Sequence, residues 1–130
     1  MFKRLLLVMA GSAGALYLLR IMGLFRPIYY WIYGGFLHDK IAHFVVGATY
    51  AVLLAWVFQP WALRLLRLEI PAGALLMLGL ATFDEVMQIP MRGRDADPFD
   101  LLASVMGIAF GVLVWNVWQQ LRLRWVVAHA

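Results

Sequence analysis

The sequence predicts an all-α fold: a polytopic membrane bundle of about four transmembrane helices, with an interfacial aromatic segment between the first two. Three observations carry this expectation. The chain has 130 residues, of which 65% are hydrophobic and 14% charged, whereas a soluble domain carries roughly 25% charged residues to cover its surface. Four stretches come close to the ~20 apolar residues that a bilayer crossing needs. The basic residues gather at the ends of those stretches, where lysine and arginine anchor a span to headgroups. The whole chain, residues 1–130, reads as one membrane domain without internal repeats or low-complexity segments. The absence of cysteine excludes disulfides, thiol nucleophiles and thiolate metal sites. The net charge of +4 is scattered over helix ends, so no nucleic-acid partner is expected.

The first span covers residues 5–25, with Arg20 near its end and able to snorkel to the interface. Its start, Met1-Phe-Lys-Arg before a leucine run and the small-residue stretch 11–15, also has the shape of a secretory signal peptide. Retention as a helix is preferred because the apolar run continues unbroken through Leu24; cleavage would leave three helices. Tyr29, Tyr30, Trp31 and Tyr33 then crowd into five residues, a composition suited to headgroup depth. The second span covers residues 41–58 and closes at Gln59-Pro60. The third covers 70–91, although its last third carries Asp84, Glu85 and Gln88. The fourth covers 99–118 and is followed by Arg122 and Arg124. Gly73, Gly79, Gly107 and Gly111 permit close helix contact within or between chains, and Gly107 with Gly111 forms a G-x-x-x-G pair that allows a homo-oligomer.

Orientation follows from the basic residues. With the N-terminus in the cytoplasm, Lys3, Arg4, Arg64, Arg67, Arg122 and Arg124 are cytoplasmic; Arg20, Arg26, Lys40, Arg92 and Arg94 lie toward the other face. Every acidic residue except Glu69 falls on that second face or on the helix ends beside it, where it can pair with Lys40, Arg92 and Arg94. Both termini are therefore expected in the cytoplasm.

This topology brings the start of span two, the end of span three and the start of span four to one face. There the sequence holds Asp39, Lys40 and His43; Asp84, Glu85 and Gln88; and Arg92, Arg94, Asp97 and Asp100. Ionisable residues in a small bundle are costly unless paired, and mark a candidate site. Asp39 and His43 share a helix face by their spacing of four, as do Asp84 and Gln88. Glu85 lies roughly 9 Å inward of Met91 at 1.5 Å per residue, so it is expected to face the bundle with a raised pKa or a cationic partner such as Arg94 or Lys40. Each residue also has a simpler reading. Asp39 and Asp97 are placed to cap helices, the latter with Pro98 at the first helical position and Asp100 in the first turn. Lys40, Arg92 and Arg94 are ordinary headgroup anchors, and His43 a satisfied bundle histidine. Glu85 is the hardest to explain by packing.

The motifs also suggest a family. His38-Asp-Lys-Ile-Ala-His43 opens a helix, Asp84-Glu-Val-Met-Gln88 ends another, and Arg92-Gly-Arg94 leads to Asp97, Asp100 and Gly107. In this order and spacing the pieces resemble the VanZ-like family over residues 37–111. The resemblance places the family's polar positions on Asp39, Lys40, His43, Glu85, Gln88, Arg94 and Asp100. The chain departs from the pattern at Ser104, where an asparagine is usual, at Met87, which replaces a frequent histidine, and at Pro90 and Met91. The resemblance implies a polytopic protein of the bacterial cytoplasmic membrane, in a family named for a protein associated with glycopeptide antibiotic resistance. It implies no particular reaction, substrate or cofactor.

Three functions are compatible with these residues. The first is binding or translocation of an anionic membrane lipid or lipid-linked envelope precursor on the extracytoplasmic face, with Arg94, Arg92 and Lys40 on the headgroup and His43 and Glu85 managing protons. The second is an intramembrane hydrolase or transferase on such a headgroup. There His43 is base or nucleophile, Asp39 its orienter, Glu85 an acid and Arg94 a clamp. The third is a structural or regulatory subunit in which the polar group fixes packing. No cofactor is expected, and no metal: His43, Glu85 and Asp100 offer a single histidine, which argues against zinc. A proton path across the membrane is also unexpected, because residues 45–58 offer Thr49 and Tyr50 as polar candidates.

Overall fold

The computed structural model describes residues 1–65, 68–89 and 97–129, apart from the side chains of Arg20, Phe25 and Tyr33. In chain order they form α1 (Phe2–Ile21), α2 (Phe25–Tyr33), α3 (Phe36–Val57), strands β1 (Ala62–Leu65) and β2 (Leu68–Pro71), α4 (Ala72–Gln88) and α5 (Pro98–Ala128). Three of the helices, α1, α3 and α5, are long and apolar enough to cross a membrane. They carry large apolar side chains on their outer surfaces, among them Leu7, Leu16, Phe110 and Val117, each more than half exposed. In water such a surface would be untenable for a monomer; against lipid it is the expected one.

By this criterion three helices qualify among the described residues, one fewer than the four expected. Helix α4 has 17 residues, about 26 Å at 1.5 Å per residue, against a hydrocarbon core of ~30 Å. Its expected first turn is lost to β2, because Pro71 stands in an extended conformation as the N-cap with ψ 143°. The expected end of that span, Pro90 and Met91, lies outside the described residues. The all-α expectation is corrected as well. β1 and β2 pair antiparallel, with Leu63 opposite Ile70 and Arg64 opposite Glu69. Asn116 of α5 holds this hairpin: its Oδ1 accepts from the Glu69 N–H at 2.9 Å, and its Nδ2 donates to the Glu69 and Val112 carbonyls at 2.8 Å each.

The expected first span, 5–25, ends four residues early, at Ile21, and the aromatic segment expected after it folds as α2. Gly23 adopts a left-handed conformation, φ 70°, which a residue with a side chain rarely takes; this ends α1 and lets the chain restart as α2. The nine residues of α2 are too few to cross a membrane, and Tyr29, Tyr30 and Trp31 are all substantially exposed on it. Helix α1 runs antiparallel to α3. Arg4 donates to the Trp56 carbonyl at 2.9 Å and lies over the Trp56 ring, and Tyr50 donates to Ser12 Oγ at 2.8 Å.

Helices α3, α4 and α5 pack by small residues. Ala51, Ala74 and Ile108 form the buried centre, with Met77, Ala81 and Val112 against it. A Cβ on Gly107 would meet the Phe44 backbone, and one on Gly111 would lie 2.7 Å from the Ala48 carbonyl oxygen. The G-x-x-x-G pair is therefore spent on the α3–α5 contact within the chain. This close approach lets short aspartate and serine side chains on α5 reach the first turns of α3.

Candidate functional site

Helix α3 starts earlier than expected. Gly35 is its N-cap in an extended conformation, and the His38 and Asp39 amides donate to the Gly35 carbonyl. Asp39 is thus a first-turn residue whose carboxylate favours the helix dipole, rather than the cap itself. Asp97 does cap α5: its side chain accepts from the Phe99 N–H at 2.9 Å, with Pro98 at the first helical position. Asp100 follows in the first turn and is buried, at 7% exposure.

Lys40 sits where these helix starts meet. Its Nζ donates to Asp97 Oδ2 at 2.5 Å and to Asp100 Oδ1, lies 3.5 Å from Asp39 Oδ2, and stands 4.6 Å from the centre of the Phe36 ring. With a side chain 13% exposed, it is a half-buried counterion shared by three carboxylates rather than a cation free to meet headgroups. The Lys40 ammonium beside Asp97, aided by the Phe99 N–H, holds the Asp97 carboxyl below its ordinary range.

His43 lies one turn further into the bundle. Its Nδ1 is 3.3 Å from Ser104 Oγ. Its Nε2 faces Asp100 Oδ2 at 3.8 Å and Asp39 Oδ1 at 3.9 Å, too far for direct hydrogen bonds. Lys40 therefore engages one oxygen of each aspartate and leaves the other turned toward the imidazole.

A cavity of about 490 Å³ opens beside His43 between α3, α4 and α5. Its walls are apolar (Ile32, Val46, Met77, Leu80 and Leu101), while Asp39, His43, Asp84, Glu85 and Ser104 supply polar groups. Glu85 Oε1 is buried without a hydrogen-bond partner among the described residues.

The structure thus joins Asp39, Lys40, His43, Asp97, Asp100 and Ser104 in one network and sets Asp84 and Glu85 on the cavity beside it. Gln88 is not part of that lining; it donates to Asp84 Oδ2 at 3.1 Å along the same helix. Arg92 and Arg94 lie outside the described residues, as does Arg67 of the basic face. Two features escaped the sequence reading. Tyr50 lines the cavity from mid-span, where a tyrosine in an apolar run gives little signal. His38 stacks on Trp31 with ring centres 4.4 Å apart, tying α2 to the start of α3; the aromatic cluster was legible, but not which ring the histidine meets. No family model, curated protein or solved structure matches the chain.

Proposed function

We propose that the chain is a VanZ-like integral protein of the bacterial cytoplasmic membrane that binds an anionic envelope lipid, or a lipid-linked envelope precursor, in the α3–α4–α5 cavity. One observation carries the reading: the cavity has apolar walls and a polar group at His43 and Glu85, the division that a molecule with a hydrocarbon tail and a polar head requires. In this reading α4 completes a fourth crossing, since it runs back beside α3 and α5 from the hairpin to the polar end. The termini are cytoplasmic and the polar end is extracytoplasmic. The placement of Arg4 beside Trp56, at the opposite end of α3 from Lys40, supports this orientation. Because Lys40 is engaged by aspartates, the guanidinium groups that follow α4 in the sequence, Arg92 and Arg94, are assigned to the headgroup. An outward site for a lipid-linked precursor suits a link to glycopeptide resistance.

A second reading, an intramembrane hydrolase or transferase on the same headgroup, is favoured by His43 lying between Ser104 and two aspartates. There the imidazole takes a proton from an attacking hydroxyl or water. A lipid-extract screen on the purified protein, wild type beside Glu85→Gln and Arg94→Lys, tests both by thermal shift and lipid turnover. A lipid at a hundred times its Kd stabilises by about 2.7 kcal/mol. Stabilisation by one anionic class that both variants lose is the expected result, and turnover beside it promotes the enzyme. Variants indistinguishable from wild type, with no lipid dependence, would leave a packing role.

A further inference from the structure

We infer that Asp39, His43 and Asp100 form a binding site for a divalent first-row transition ion, of the kind that Zn²⁺ and Mn²⁺ represent. This goes beyond the lipid-binding reading and does not depend on it. Each of the three residues offers one donor atom, and these atoms lie within 4.8 Å of one another. Donors that share one ion at ~2.1 Å in a tetrahedral site stand ~3.4 Å apart. The 3.8 and 3.9 Å separations from His43 Nε2 to the two carboxylates each close to that spacing by a shift of about half an ångström, and the two carboxylate oxygens, within 4.8 Å of one another, close by side-chain rotation.

Four further observations point the same way. The spacing of Asp39 and His43 stacks them on one helix face, while Asp100 comes from α5 across a contact that glycines keep tight, so the donors are held by two rigid elements. The groups behind them orient them as outer partners orient metal ligands. Lys40 holds one oxygen of Asp39 and one of Asp100, and Ser104 Oγ meets His43 Nδ1, the contact that directs the Nε2 lone pair toward the carboxylates. The charge is also unbalanced: Asp39, Asp97 and Asp100 surround a single ammonium among the described residues, a double negative excess at the edge of an apolar bundle. Finally, Glu85 places a buried, unpartnered carboxylate oxygen on the same cavity as Asp39 and His43, suited to accept from a water on the ion. The imidazole selects a transition ion over Mg²⁺ or Ca²⁺, which prefer oxygen donors alone.

The test uses the full chain in detergent without added lipid, its affinity tag removed, stripped with chelator and freed of it. Titration with Zn²⁺, Mn²⁺, Mg²⁺ and Ca²⁺ should give one Zn²⁺ or Mn²⁺ per chain and a weaker response to the other two. His43→Gln and Asp100→Asn should weaken Zn²⁺ binding by at least about 100-fold, and Ser104→Ala by about 10-fold. His38→Ala and His129→Ala should keep it. Co²⁺ loading of the wild type gives a reading that survives a variant's failure to fold: visible bands of a low-symmetry, nitrogen-containing site are expected. A wild type with no stoichiometric Zn²⁺ or Mn²⁺, binding unchanged in both ligand variants, or the Co²⁺ spectrum of the hydrated ion would each overturn the inference. Because lipid is absent throughout, failure here leaves the lipid screen's outcome independent.

Discussion

Lys40→Met removes the ammonium that three aspartates share while keeping an unbranched side chain of similar length. The Lys40 and Asp100 side chains are 13% and 10% exposed, and those of Asp97 and Asp39 are 29% exposed. Breaking a buried ion pair by deleting one partner costs about 3–5 kcal/mol, because the other charge stays desolvated. Two like charges at ~4 Å add about 4 kcal/mol of repulsion at an effective dielectric constant of 20. Partial solvation of Asp97 and Asp39 offsets much of that repulsion, so a loss of about 3 kcal/mol is expected at pH 7. In a chain of this length that lowers Tm by about 10 °C. Thermal unfolding in detergent with chelator present, so that no ion substitutes for the ammonium, measures it. The lesion should be specific: in the double variant with Asp100→Asn, at least about 1 kcal/mol should return as a coupling between the two sites. A Lys40→Met protein that melts with the wild type, or strict additivity with Asp100→Asn, would refute the account of Lys40 as the counterion the aspartates share.

Three further perturbations probe other parts of the fold. The depressed pKa of Asp97 means that its folded form releases a proton more readily than its unfolded form. Its contribution is therefore fully present above the ordinary carboxyl value of 3.8 and is lost as pH falls through the lower folded value; acid unfolding below about pH 4 should be shallower in Asp97→Asn. Gly107→Ala places a methyl against the Phe44 backbone, and forcing α3 from α5 should cost about 1–3 kcal/mol and weaken any ligand held between His43 and Asp100; unchanged melting would show that the contact yields freely. Asn116→Leu strips the Glu69 amide and carbonyl of their partners and should cost about 1–3 kcal/mol, read as a lower Tm with faster amide exchange in the hairpin. An unaffected hairpin would mean that Asn116 does not hold it.

How far the sequence carried the fold depends on which signal each element uses. Composition and apolar runs locate α1, α3 and α5 because a membrane helix announces itself by length and by lack of charge. The same signal starts α4 two residues early, at 70 instead of 72, since Ile70 and Pro71 are as apolar as the span they precede. What decides there is Pro71, which cannot continue a helix backward, and the pairing of Leu63 with Ile70 and Arg64 with Glu69, a long-range fact that local hydropathy does not contain. The early end of α1 before Gly23 is similar. A glycine in an apolar run is tolerated in a helix or ends it, and its left-handed conformation emerges only with the position of α2.

For the site, helix order alone placed the start of α3, the end of α4 and the start of α5 together, and spacing placed Asp39 with His43. What the sequence could not resolve was which charges would cancel. Read along the chain, Lys40 is a cation at a membrane face, and the default is that it meets headgroups. In the folded chain Asp97 and Asp100 arrive from almost sixty residues away and take that cation, which leaves it unavailable to a headgroup. The metal reading changes for the same reason. The sequence weighed His43 with Glu85 and Asp100 and set a metal aside for want of a second histidine; in the fold Asp39 stands beside His43 with Asp100 opposite, and both carboxylates are already oriented by Lys40. A lone histidine in a membrane helix is therefore a poor predictor until its counter-charges are paired off, and here the pairing leaves two carboxylate oxygens facing Nε2.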